Sequence, residues 1–91
     1  MLKDLFASKT QAKLIEMFFR NPNRKFYQRE IVRALNESLG SIQYELRRLV
    51  RVGVVKAEDN HSRKYYFPNR DFYLYSELRD IIFKTVQRNI I

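Results

Sequence analysis

Pro22, Gly53 and Pro68 mark three places where this chain cannot continue a helix, and they leave few ways to fold it. The residue before a proline is pushed out of helical geometry. A helix carrying Leu14, Ile15, Phe18 and Phe19 at core spacing must therefore stop at Asn21-Pro22. Ser8 or Thr10 suits the cap at its start, and Leu2, Leu5 and Phe6 add a preceding helical turn. Beyond Pro68 the sequence runs into a last helix, from about Leu74 to Asn89.

Gly53 closes the most informative stretch, "GSIQYELRRLVRVGVV" (residues 40–55). Ile42, Leu46 and Leu49 fall at i, i+4 and i+7, on one stripe of a helix, while Tyr44, Arg47 and Arg51 fall on the opposite face. With Ser38 as N-cap and Gly53 at the C′ position, this helix spans about Leu39 to Val52. Before it, Gln28 to Leu35 reads as a short helix with Ile31, Val32 and Leu35 inward, joined through the tight connection Asn36-Glu37-Ser38. Phe26-Tyr27 is too short for an independent strand and can pair only as an edge. After it, Val54 to Asp59 and Lys64 to Phe67 flank "NHSR", the layout of a hairpin with a polar tip. Neither run alternates cleanly, so the register stays open. Tyr65, Tyr66 and Phe67 read as core and strand material rather than a base-stacking platform.

The last helix carries two apolar stripes. Leu74, Leu78, Ile81 and Ile82 cluster in one sector, and Phe83, Val86 and Ile90 lie roughly opposite. A helix that is apolar on both sides needs a second partner. That partner is either a second copy of the chain or the Leu2, Leu5 and Phe6 segment of the same one.

Charge decides what the exposed faces are for. The net charge is +8 and the excess is concentrated: residues 20–70 hold twelve Lys and Arg against five Asp and Glu, whereas residues 71–91 hold three of each. A basic centre between nearly neutral, apolar ends suggests a surface for a polyanion and packing or pairing elements beside it. Zero cysteines exclude a disulfide framework and thiolate ligands. The start, "MLKDLFASKTQ", lacks an apolar signal core, and no uncharged run approaches the ~18–20 residues of a spanning helix. A single cytoplasmic domain over residues 1–91 is expected.

Element order and residues together carry a resemblance. Helix, helix, tight turn, helix, hairpin, helix resembles a winged helix-turn-helix domain. The sequence "SKTQAKLIEMFFRNPNRKFYQREIVRALNESLGSIQYELRRLVRVGVVKAEDNHSRKYYFPN" is similar to small prokaryotic transcription regulators of the ArsR type. It is nearest to a branch without metal-sensing motifs whose members often begin "SKTRAKLL". The shared positions are Phe26, Tyr27, Arg29, Glu30, Leu35, Ser38, Gly40, Glu45, Leu46, Leu49, Gly53, Val55, Arg63, Tyr65 and Tyr66, and the likeness covers residues 8 to 83. It implies an α+β, mostly α-helical fold with a β-hairpin wing and a C-terminal dimerisation helix over 74–91. It also implies a homodimeric repressor of transcription that binds double-stranded DNA.

A major groove admits one α-helix, whose outward face meets base edges. The candidates for base contact are Ser41, Gln43, Tyr44 and Arg47, with Gln43 suited to adenine and Arg47 to guanine. Gly40 removes bulk at the close approach. Gln28, Arg29, Ser38, Gly40, Arg48 and Arg51 are candidates for the phosphate backbone. In the wing (residues 59–64), His61, Arg63 and Lys64 are candidates for the backbone or the minor groove. Some residues have a second reading. Tyr44 either stacks on the nucleic acid or covers an apolar patch, Gln28 and Arg29 either bind phosphate or simply start a helix, and His61 is either a sensor or a solvated loop residue. Phe83, Val86 and Ile90 are the expected dimer interface.

There is no GxxxxGK[ST] loop, no HExxH and no cysteine nucleophile, so enzymatic activity is not expected, and neither a metal nor another cofactor is implied. One histidine and no cysteine cannot build the metal sites of the best-known ArsR-type repressors. The alternative reading is a winged-helix interaction module, or an adaptor for a separate nucleotidyltransferase-like partner.

Overall fold

The computed structural model describes residues 6–90, with side-chain surroundings given as far as Thr85. Among the described residues there are four helices and a three-stranded antiparallel sheet: α1 (Lys9–Arg20), β1 (Phe26–Tyr27), α2 (Gln28–Leu35), α3 (Leu39–Val52), β2 (Val55–Asn60), β3 (Arg63–Pro68) and α4 (Tyr75–Ile90). This is an α+β, mostly helical, winged helix-turn-helix architecture.

Each helix boundary has a local cause. The Ser8 hydroxyl accepts from the Gln11 amide and starts α1, and Asn21 closes it by donating to the Phe18 carbonyl. Glu30 accepts from the Tyr27 amide at 3.3 Å and secures the start of α2. Asn36 ends α2 in the left-handed region at φ 53, its amide donating to the Val32 carbonyl. Ser38 caps α3 by accepting from the Ser41 amide. Gly53, at φ 102, ends α3, and its amide reaches the Leu49 and Val50 carbonyls. A side chain is disfavoured at that φ, which is why the helix can turn so sharply into the wing.

Two ties hold the functional elements to the body. Lys13 of α1 donates to the Leu35 carbonyl at 3.1 Å and pairs with Glu37 at 3.3 Å, which anchors the turn between α2 and α3. Asn69 donates from its side chain to the Gly53 carbonyl at 2.8 Å and from its backbone to the Val54 carbonyl at 2.9 Å. The joint between α3 and the wing is thus clamped from behind.

In the sheet the order is β1-β3-β2, so β1 pairs as an edge, Phe26 with Tyr66 and Tyr27 with Tyr65. The β2–β3 register runs from Val55 opposite Pro68 to Asn60 opposite Arg63, leaving a two-residue tip, His61-Ser62, with His61 at φ 59. The ladder reaches further toward the tip than the four-residue loop expected from the sequence. In β2 only Val55 is buried, so the strand has little apolar alternation to betray its register.

The core lies where α1, α3 and the sheet meet. Leu14, Ile15, Phe18 and Phe19 of α1 pack with Ile31, with Ile42, Leu46 and Leu49 of α3, and with Phe26, Val55, Tyr66 and Ile82. Phe18 meets Phe26 edge-on at 5.8 Å, and Phe19 stacks on Tyr75 at 5.0 Å, which docks α4 against α1. Burying each such side chain contributes about 1.5–3 kcal/mol.

Helix α4 departs from its expected inner stripe. Ile82 is buried and Leu78 half-buried as the spacing predicts, but Leu74 is exposed and Ile81 is 43% exposed. Thr85 is buried instead, its hydroxyl donating to the Ile81 carbonyl at 2.8 Å. A threonine that satisfies its own hydroxyl on the preceding turn can face a core that a hydropathy pattern assigns to isoleucine. Phe83 is 47% exposed, about 100° around the helix from Ile82. The expected extra turn at Leu2 and Leu5, and the side chains of Val86 and Ile90, lie outside the described residues.

Candidate nucleic-acid interface

Helix α3 buries Ile42, Leu46 and Leu49 and turns Gly40, Tyr44, Arg47 and Arg51 outward. At 100° per residue these four fall within about 60° of arc, a single stripe along the helix. Tyr44 is 55% exposed, and Arg47 and Arg51 are exposed as well. A Cβ built on Gly40 would stand in open space, so no contact within the protein demands glycine there.

The flanks of α3 differ. Toward α2 and the wing, Gln43 donates to Gln28 at 3.3 Å, and Gln28 donates to the Tyr66 hydroxyl at 3.3 Å. On the other flank Arg48 pairs with Glu45 at 3.4 Å, and it lines an apolar recess with Ile15, Val52 and Phe72. Ser41 also sits off the stripe, its hydroxyl engaged with that of Ser38 at 2.9 Å. Among the expected contact residues, the structure therefore groups Gly40, Tyr44, Arg47 and Arg51, and places Gln43 on one flank and Arg48 on the other. The Arg48 guanidinium lies 5.7 Å from the Tyr44 ring centroid, and the Ser41 hydroxyl is engaged with Ser38. Ser38 is spent on capping.

The start of α2 and the wing form the second part of the surface. Gln28, Arg29, Ser62, Arg63 and Lys64 line a depression of about 530 Å³ with Tyr27 and Tyr66. The Arg63 guanidinium lies 4.5 Å from the Tyr27 ring centroid, a cation–π contact that orients it. On its other side a recess of about 430 Å³ adds Val32, Arg33 and Leu39, with Arg33 donating to the Tyr27 hydroxyl at 3.4 Å. His61 is exposed at the tip. The sequence flagged Arg29, Arg63 and Lys64 but missed Arg33 and Tyr27. The signal available for Arg33 was its spacing of four from Arg29 on one helix face.

Ion pairing sharpens the charge pattern. Four of the five acids between residues 20 and 70 already have a basic partner: Glu30 with Arg24, Glu37 with Lys13, Glu45 with Arg48 and Glu58 with Lys25. Among the described residues, Arg29, Arg33, Arg47, Arg51, Arg63 and Lys64 have no carboxylate within 4.0 Å. Six uncompensated cations thus lie on the α3 stripe, on α2 and in the wing, while Lys56 at the base of β2 and Arg70 after β3 are likewise without a carboxylate among the described residues. The pairing of Glu45, a buried acid, was not legible in the sequence. Among the described residues no cluster of His, Cys, Asp or Glu is arranged to hold a metal, and no helix is long and apolar enough to cross a membrane.

No family model matches this chain, and no curated protein matches it. Among solved structures, the crystal structure of M. tuberculosis Rv0081 is similar, with a TM-score of 0.65 over 93% of this chain and 85% of that chain at 17% sequence identity. A likeness at that identity is one of fold: the arrangement of helices, sheet and wing recurs in an experimentally determined protein.

Proposed function

We propose that this chain is a sequence-specific, double-stranded-DNA-binding transcription regulator, a homodimeric repressor of the ArsR-like kind. One observation carries the reading. Five cations without carboxylate partners, Arg47 and Arg51 on α3 and Arg29, Arg63 and Lys64 at the start of α2 and in the wing, are joined across Tyr44, Gln43 and Gln28. Helix α3 enters the major groove with its outward stripe, and the wing rests on the backbone or minor groove. Arg47 and Gln43 read base edges, and Tyr44 packs against a base or sugar. Arg51, Arg29, Arg63 and Lys64 hold phosphates. The open space around Gly40 is where the groove wall approaches.

Exposed Phe83 on α4, outside the buried sector of Leu78, Ile82 and Thr85, supports pairing of two chains through that helix. Two copies related by a two-fold axis would read half-sites about one helical turn apart.

Selection of bound duplexes from a random DNA pool, followed by gel-shift titration, tests the proposal. A palindromic preferred site bound by two chains is expected. Duplex affinity left unchanged by both Arg47→Ala and Lys64→Ala would defeat it. No duplex affinity even at low salt would favour the adaptor reading.

A further inference from the structure

The amide of Gln43 is the outer end of a short polar chain that is rooted in the core. Its Nε2 donates to Gln28 Oε1 at 3.3 Å, and Gln28 Nε2 donates to Tyr66 Oη at 3.3 Å. Tyr66 is buried on the central strand β3, and both glutamines are half-buried. The chain is therefore rooted in position at its inner end, where the Tyr66 hydroxyl accepts, and open only at Gln43.

A glutamine amide has two N–H donors and one carbonyl acceptor. Gln28 draws one of the N–H groups of Gln43 inward. The edge that remains presents a carbonyl and an N–H side by side. Adenine offers the complement of that edge in the major groove, an N6 amino donor beside the N7 acceptor. We infer that Gln28 is a positioning residue which fixes the direction of the Gln43 amide, so that Gln43 selects adenine. The inference rests on the duplex-binding reading above and names the base at one position within it.

The physical reason is exclusion of the reversed amide. Turned end over end alone, Gln43 would set its carbonyl against the carbonyl of Gln28, two acceptors with no proton between them. Reversing both amides together would require the Tyr66 hydroxyl, which accepts from Gln28 here, to donate instead. A reversed Gln43 amide would offer two N–H groups outward, the pattern suited to guanine O6 and N7. An unrestrained glutamine adopts either direction and discriminates poorly. Gln28 ties the direction of Gln43 to its own while touching no base.

The test uses the intact chain and its selected duplex. Gln43→Ala first identifies the base pair whose discrimination depends on Gln43. Four duplexes that differ only at that pair are then titrated at several salt concentrations. Wild type is expected to favour adenine by about tenfold or more. Gln28→Leu is expected to shrink that preference to about twofold or less while keeping the salt slope. Gln28→Glu, whose carboxylate can only accept, should keep the Gln43 N–H turned inward and preserve the adenine preference even if overall affinity falls. A guanine preference in wild type would overturn the assignment. So would a Gln28→Leu variant that binds all four duplexes more weakly by the same factor with the adenine preference intact, because Gln28 would then be a backbone contact that does not act through Gln43. Absence of any duplex binding by wild type would instead overturn the DNA reading itself, and this inference with it.

Discussion

Replacing Glu45 by methionine is expected to stabilise this protein, although the change removes an ion pair. Glu45 is only 4% exposed, on the face of α3 that packs into the body. Its Oε1 accepts one long bond, at 3.4 Å, from Arg48, and its Oε2 has no partner at all. Taking a carboxylate out of water costs several kcal/mol, and that single bond to a guanidinium whose side chain is 34% exposed offsets only part of the cost. Apolar replacement of buried ion pairs ranges from neutral to about 1–4 kcal/mol stabilising. Because solvent screens the arginine end, the lower part of that range applies, about 1–2 kcal/mol. Arg48→Ala should have the opposite sign. Stranding a fully buried charge costs about 3–5 kcal/mol, and the partial exposure of this pair reduces that to about 1–2 kcal/mol. Urea unfolding at neutral pH reads both changes, since a domain of this size has an m-value of about 1–2 kcal/mol per M, giving midpoint shifts of about 1 M in opposite directions. If Glu45→Met lowers the midpoint as far as Arg48→Ala does, the carboxylate is a net stabiliser and the argument from its unpaired oxygen fails.

Other substitutions separate folding from binding. Gly40→Ala should raise stability by about 0.5–1 kcal/mol, because the site is helical with open space around it, yet weaken duplex binding; thermal unfolding and a gel shift on one sample check both halves. Gly53→Ala should cost about 1–2 kcal/mol. Phe72 would lie at an ordinary 3.6 Å from the new Cβ, so the cost comes from the φ of 102, and Gly53→Asn should be milder. Arg47→Ala should cost about 1–3 kcal/mol of binding and relax preference at one base pair. Lys64→Ala should weaken all duplexes evenly and reduce the salt slope by about 1. Phe83→Asp should shift the oligomer toward a single chain in light scattering without unfolding it, since the ring is already half in solvent.

Much of the scaffold was legible because its punctuation is local. Ser8, Ser38, Gly53 and Asn21-Pro22 act through their own backbone neighbours, and each ends or starts an element where the sequence places it. The α3 boundaries follow from Ser38, from Gly53 and from the i, i+4, i+7 stripe. What escaped the sequence depends on which neighbour a side chain closes on and which face a strand buries. The hairpin register escaped because β2 buries one residue and exposes the rest. Ile81 and Thr85 exchange their expected places because a hydroxyl can satisfy itself on its own helix. Within the candidate site, the outward direction of Tyr44, Arg47 and Arg51 was readable from periodicity. The engagement of Ser41 with Ser38, of Arg48 with Glu45 and of Gln43 with Gln28 was not, because polar side chains close on partners that periodicity alone does not rank.

Amide chemical-shift mapping of the labelled protein titrated with its selected duplex addresses the central claim most directly. Perturbations concentrated at Gly40, Tyr44, Arg47 and Arg51, at Gln28 and Arg29, and at Ser62 to Lys64 are the predicted result. Perturbations confined to α1 or α4, with the outward stripe of α3 unmoved at saturation, would contradict it.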